Sequence, residues 1–189
     1  MTVERFRLFV AVDLPREHLD HIERAIEPVR GTFPDARWIS IDNQHVTLKF
    51  LGPTPSDRMD EISKVCEIVG AGVAPASLSV TQLGSFPSRT RVRVLWVGLD
   101  DPHGVLARLA KDLESALEPL GYPAEERAFT AHLTLARLKA PQRLPDGLPD
   151  IALASLGPFE VGELVLYRSH LSPKGARYEA LERFPLHGG

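Results

Sequence analysis

Hydrophobic and polar positions alternate from the first residues of the chain. Phe6, Leu8, Val10 and Val12 fall on one face and Arg7, Phe9, Ala11 and Asp13 on the other, which predicts a strand over 5–13. The period then lengthens. After Asp13-Leu14-Pro15, His18, Leu19, Ile22 and Ile26 recur at helical spacing, with Gly31 and Pro34 as stop signals. Trp38, Ile39 and Ile41 lead into a second strand, from about Gln44 to Leu51, that the run Gly52-Pro53-Thr54-Pro55 closes. A helix near 56–70 carries Met59, Ile62, Val65, Cys66 and Val69 on one stripe. Two strands follow, at about 77–83 and 91–98, and a third helix at about 103–120 ends at Gly121. Phe129 to Leu138 reads as a strand and the Pro-rich stretch 141–149 as a loop. Val161–Leu171 and Tyr178–Phe184 read as closing strands around a Ser-Pro-Lys-Gly turn.

Strands that succeed one another without an intervening helix argue for an α+β fold over a doubly wound parallel sheet. The order also divides into two similar halves. The expected architecture is α+β, with two pseudo-symmetric lobes, each an antiparallel sheet with flanking helices, around a central cleft. Together they make one bilobal domain over 1–189.

Composition narrows the function classes. With 22 basic against 25 acidic residues the net charge is −3, which argues against a protein that coats nucleic acid through a broad basic face. Recognition of one phosphate or one RNA end in a small cleft stays open. A single cysteine, Cys66, excludes an intrachain disulfide framework and suits a reducing cytosol. No run approaches 18 apolar residues, and the first residues lack the apolar core of a signal peptide, so the expectation is a cytoplasmic monomer without a membrane.

The chemistry is carried by a repeated pattern. His45-Val46-Thr47-Leu48 and His132-Leu133-Thr134-Leu135 share the order His, apolar, Thr, Leu, 87 positions apart. One His-x-Thr is a weak signal; two in matched strands are a stronger one. Period two puts each His and its Thr on one face, about 6.5–7 Å apart, with Val46 and Leu48 turned to the core. Imidazole titrates near neutrality, so two rings supply a general base and a general acid. Threonine hydroxyls supply hydrogen bonds to phosphate oxygens. The bland reading is two half-buried strand histidines beside β-favouring threonines. A metal site is a further alternative, and it lacks a third ligand at a recognisable spacing. The other histidines read as surface or tail residues, Arg89, Arg91 and Arg93 as a solvated face, and Cys66 as core.

With these motifs the chain resembles the two-histidine phosphoesterase superfamily, specifically its RNA 2′,3′-cyclic phosphodiesterases, the LigT-like or "2′-5′ RNA ligase" proteins. The resemblance runs from Arg7-Leu-Phe-Val-Ala-Val-Asp-Leu-Pro15 through Arg37-Trp38, His45 to Gly52, Leu83-Gly-Ser-Phe-Pro87 and Arg93-Val-Leu-Trp96. It continues through His132 to Arg137 and ends on Leu166-Tyr-Arg-Ser169 and Gly175-Ala-Arg-Tyr178. It implies hydrolysis of RNA 2′,3′-cyclic phosphate ends to 2′-phosphates without metal or cofactor, on RNA 3′ ends or small cyclic nucleotides. Mapped onto this chain, His45 is the acid at the leaving 3′-oxygen and His132 the base that activates water. Thr47, Thr134 and Arg137 hold phosphate. Strict alternation turns Arg137 away from His132, so its role requires a bend or the strand's end there. Tyr167 and Ser169 are candidates for the rim, and Trp38 and Phe9 for stacking a base. Two alternatives stay open: 2′-5′ ligation by the same site, and a catalytically silent nucleotide-binding module. Ala131 stands where similar proteins usually have proline, which leaves the pose of His132 open.

Overall fold

The structure is a computed structural model that describes residues 3–146, 153, 157–173 and 175–188. The tip of the Pro-rich loop at 147–149 and residue 174 of the expected closing turn lie outside the described residues. Nine strands and three α-helices are found among those described. Strand β1 spans Arg5–Val12, helix α1 Arg16–Thr32, and β2 the two residues Arg37–Trp38. Then come β3 (Val46–Pro55), α2 (Met59–Ala71), β4 (Ala76–Phe86), β5 (Val92–Asp100) and α3 (Val105–Leu117). The chain closes with β6 (His132–Gln142), β7 (Phe159–Val161), β8 (Glu163–Ser172) and β9 (Gly175–Pro185).

The strands form two antiparallel sheets, a four-stranded one in the order β3-β1-β8-β9 and a five-stranded one in the order β2-β6-β5-β4-β7. The expected α+β class is found. The two sheets correspond strand for strand at their centres: each motif strand, β3 or β6, pairs with the strand that precedes a helix, β1 or β5, and that strand with β8 or β4. Neither sheet is one half of the chain, since β8 and β9 join β1 and β3, and β2 joins β6. Helices α2 and α3 pack on each other, α2 against β8 and β9, and α3 against β3. His18 of α1 meets the Phe159 ring of β7 at 4.7 Å between centroids. Leu106, Leu109, Leu113 and Leu117 of α3, at helical spacing, are all fully buried, as are Ile22, Ile26 and Val29 of α1.

Helix α1 ends at Thr32, between the stop signals Gly31 and Pro34, and runs through Pro28 because its buried stripe Ile22, Ile26, Val29 outweighs the loss of one backbone bond. Other details depart from the sequence reading. Strand β6 starts at His132 rather than Phe129 and continues through Pro141 to Gln142, in the segment read as loop. Residues 37–38, read as a lead-in, form a short strand on the edge of the five-stranded sheet. His18, expected on a surface, is buried, with its Nε2 3.1 Å from the Gly157 carbonyl. No helix among the described residues is long and apolar enough to cross a membrane.

Candidate active site

The two motif strands share one irregularity that builds the site. Between β1 and β3, Ala11 pairs with Thr47 and Val10 with Lys49, so Leu48 is left unpaired. Between β5 and β6, Trp96 pairs with Thr134 and Leu95 with Ala136, so Leu135 is left unpaired. Each bulge lies three residues after the motif histidine. A bulge inserts one residue and reverses the alternation beyond it. His45, Thr47 and Phe50 therefore face the cleft from one sheet, and His132, Thr134 and Arg137 from the other. The bend that the position of Arg137 requires is this bulge. Val46, Leu48, Leu133 and Leu135 are buried in the core, which anchors the register.

The cleft between the motifs measures about 370 Å³. Arg7, Phe9, Asn43, Ser169 and Tyr178 also line it, and no acidic side chain does so among the described residues. The Arg7 guanidinium lies over the Phe50 ring, 4.5 Å from its centroid.

Each histidine is held from behind. His132 Nδ1 lies 2.7 Å from the Thr130 carbonyl, so this nitrogen carries the proton and donates it, leaving Nε2 with its lone pair. The ring is packed edge-on against Phe86 and Trp96, at 5.1 and 6.0 Å. His45 Nε2 lies 3.1 Å from Thr47 Oγ1, and the backbone of Asn43 also bonds the ring. Phe9 stacks on His45 at 4.6 Å, with Tyr178 edge-on to both at 5.0 Å.

Burial dominates the electrostatics of both rings, since loss of water disfavours the charged imidazolium. It pushes His45 down to about 4, against a nearby Asp13 that favours its charge. His132 is lowered by burial as well, and there the neighbouring Arg137 adds to the shift where the Thr130 carbonyl opposes it. The two sites thus differ in the sign of their nearest fixed charge.

The other expected residues separate into two groups. Ser169 lines the cleft and is buried. Phe9 also lines it, but only 3% of its surface is exposed, so it packs on the imidazole instead of offering a face to a base. Tyr167 stands behind Phe9, its O–H donating to the Asp13 carboxylate at 2.8 Å, and burial with that carboxylate holds the phenol far above its usual range. Trp38 lines an adjoining cavity and not the cleft itself. Sequence reasoning gave no site role to Arg7, Asn43, Phe50 and Tyr178. Arg7 had a legible signal, since it shares the polar face of β1 with Phe9.

A model of the 2′-5′ RNA ligase superfamily matches residues 9–173. The chain belongs to that superfamily. Among curated relatives of this 2′-5′ RNA ligase superfamily member, a Geobacillus stearothermophilus protein named RNA 2′,3′-cyclic phosphodiesterase is 34% identical over 98% of this chain. The chain spans 59% of that relative's length. A Methanothermobacter thermautotrophicus protein of the same name is 29% identical over 96% of this chain and all of its own length. Among solved structures, the Thermus thermophilus protein TT0787 superposes with a TM-score of 0.78 at 30% identity, covering 96% of this chain and 98% of its own. Escherichia coli LigT complexed with 3′-AMP superposes with a TM-score of 0.77 at 28% identity, over 97% and 99% of the two chains.

Proposed function

We propose that this chain hydrolyses RNA 2′,3′-cyclic phosphate ends to 2′-phosphomonoesters, with its own side chains as acid and base and without a metal. The observation that carries this reading is the convergence of two bulged His-x-Thr strands on one cleft that holds arginines and no acidic side chain. The relatives named RNA 2′,3′-cyclic phosphodiesterase support the same reaction. The donor set fits a metal poorly: no group of three or more His, Cys, Asp or Glu able to hold an ion occurs among the described residues.

His132 acts as the base. Its Nδ1–H is committed to Thr130, so Nε2 accepts the proton of the attacking water. As the water oxygen bonds to phosphorus, the bond to the 3′-oxygen breaks, and His45 protonates that oxygen. The 2′-oxygen keeps the phosphate. His45 is neutral in the empty cleft, and the anionic substrate opposite it favours the imidazolium that the step needs. Burial keeps His132 neutral, with Arg137 adding to it; Arg137 also balances charge on phosphorus, while Thr47 and Thr134 hydrogen-bond the non-bridging oxygens. Asp13 beside His45 supports that ring as the acid, its deeper burial opposes it, and the position of the phosphate on the product decides between this assignment and the reverse.

The test is an oligoribonucleotide ending in a 2′,3′-cyclic phosphate, incubated in EDTA with the wild-type protein and with His45→Ala and His132→Ala. The expected product gains one water and keeps a 2′-phosphate that a 3′-specific phosphatase leaves intact. Each single variant is expected to lower kcat by about 10²–10⁴, and the double variant to fall far short of the product of the two. A 3′-phosphate product reverses the two roles, and unchanged activity in one variant removes that histidine from the mechanism. Failure to turn over in EDTA, restored by a divalent ion, overturns the metal-free reading.

A further inference from the structure

Beside the cleft lies a second cavity of about 270 Å³. Ile39, Asn43, Arg137, Leu171, Ala176 and Tyr178 line both, so the two are continuous. The second cavity alone adds Arg37, Trp38, Ser40 and Gly175. It too has no acidic lining residue among those described.

Its wall contains an arrangement that costs folding energy. Arg37 of β2 and Arg137 of β6 are direct partners across the two antiparallel strands. Opposed residues of such a pair project from the same face about 5 Å apart, and like charges placed so are destabilising. Neither guanidinium has an ion-pair or hydrogen-bond partner among the described residues. The nearby Arg30, by contrast, is neutralised by Glu23 and Glu27 while it stacks 4.5 Å above the Trp38 ring. The wall between the cavities is stiff: Asn43 Nδ2 donates to the Ala176 carbonyl at 2.9 Å, and the Tyr178 N–H donates to Asn43 Oδ1 at 3.2 Å. Gly175, at φ +138°, leaves room for Arg37, since a Cβ there would stand 2.7 Å from Nη2.

Two unpaired arginines of equal sign, fixed one strand apart, fit two anions one strand apart. Arg137 already faces the reacting phosphate. We propose that the second cavity is a subsite for the phosphate on the 5′ side of the terminal nucleoside, held by Arg37, so that the site reads an oligonucleotide end in preference to a bare cyclic mononucleotide. This rests on the cyclic phosphodiesterase reading and extends it to substrate class.

Three substrates test it: a 2′,3′-cyclic mononucleotide, the same nucleotide with a 5′-phosphate, and a dinucleotide with a cyclic end. Wild-type kcat/KM is expected to be about tenfold higher for the second and third than for the first, carried mainly by KM. In Arg37→Gln and Arg37→Ala that advantage collapses towards one. A wild-type ratio near one, or a ratio that survives both substitutions, overturns the subsite. So does an advantage of the dinucleotide alone, which assigns the contact to the upstream nucleoside. If wild type turns over none of the three, the cyclic phosphodiesterase reading falls. The subsite is then judged by the affinity of the 2′-phosphorylated mononucleotide with and without its 5′-phosphate. Equal affinities overturn it, and a stronger 5′-phosphorylated ligand that loses its advantage in Arg37→Gln sustains it.

Discussion

At the scale of single residues, the His-x-Thr repeat identified the side chains that the cleft brings together, but not their protonation. A sequence shows an imidazole and its ordinary titration range; it does not show the water that folding removes. In the empty cleft both rings are lowered, His45 to about 4, so neither carries a charge at neutral pH. A reaction that needs His45 protonated and His132 neutral draws on a free-enzyme form that shrinks as pH rises once both rings have lost their protons. For a hydrolytic site built on these rings, kcat/KM declines above pH 7, approaching tenfold per unit. The profile of kcat, which reports the complex, bends at a higher pH because the bound anion favours the imidazolium. Initial rates over pH 4–9, at low and saturating substrate, check both limbs. A kcat/KM that rises through this range removes His45 as the acid.

At the scale of elements, alternation located the strands and then failed in the middle of the two that matter. It put Arg137 on the wrong face because the bulge at Leu135 belongs to the pairing of β6 with β5, and no property of residues 132–137 alone reveals a skipped partner. The edge strand β2 was hidden for the same reason, since two residues have no period. Gly84 shows how far such pairing reaches. It lies opposite Trp96 across β4 and β5, and a Cβ at Gly84 would stand 2.3 Å from that indole. Trp96 and Phe86 form the bed of His132. Gly84→Ala therefore forces the indole to move, which is expected to cost about 1–3 kcal/mol of stability through overpacking and to lower kcat about tenfold by tilting the imidazole. Thermal unfolding and initial rates measure the two effects. A variant with wild-type stability and rate shows that the indole shifts freely and that His132 does not depend on it.

At the scale of the whole molecule, the proposed reaction requires that two strands in different sheets keep one separation, and a residue read only as part of a strand bears on this. The bulge at Leu48 turns Lys49 away from the cleft, and its side chain is 1% exposed. Its Nζ donates to the Pro123 carbonyl at 2.5 Å and lies 3.6 Å from Glu114 of α3. Glu114 in turn accepts the Glu125 backbone N–H at 2.8 Å. Strand β3 is thereby tied to the segment that runs on from α3 into His132. A buried charge is retained only while its partners stay in place, so removing one partner costs more than the pair contributes. Lys49→Ala leaves the Pro123 carbonyl without its donor and Glu114 without its cation. The expected loss is about 3 kcal/mol, discounted for the part of Glu114 that water reaches, or roughly 6–12 °C in Tm. Lys49→Met fills the same space without a charge, and combined with Glu114→Gln it is expected to recover much of that loss. If the tie sets the distance between the motifs, kcat of the Met/Gln pair stays low while its Tm returns. If stability and kcat recover together, Lys49 serves only the core, and packing of the two sheets alone holds the histidines in register.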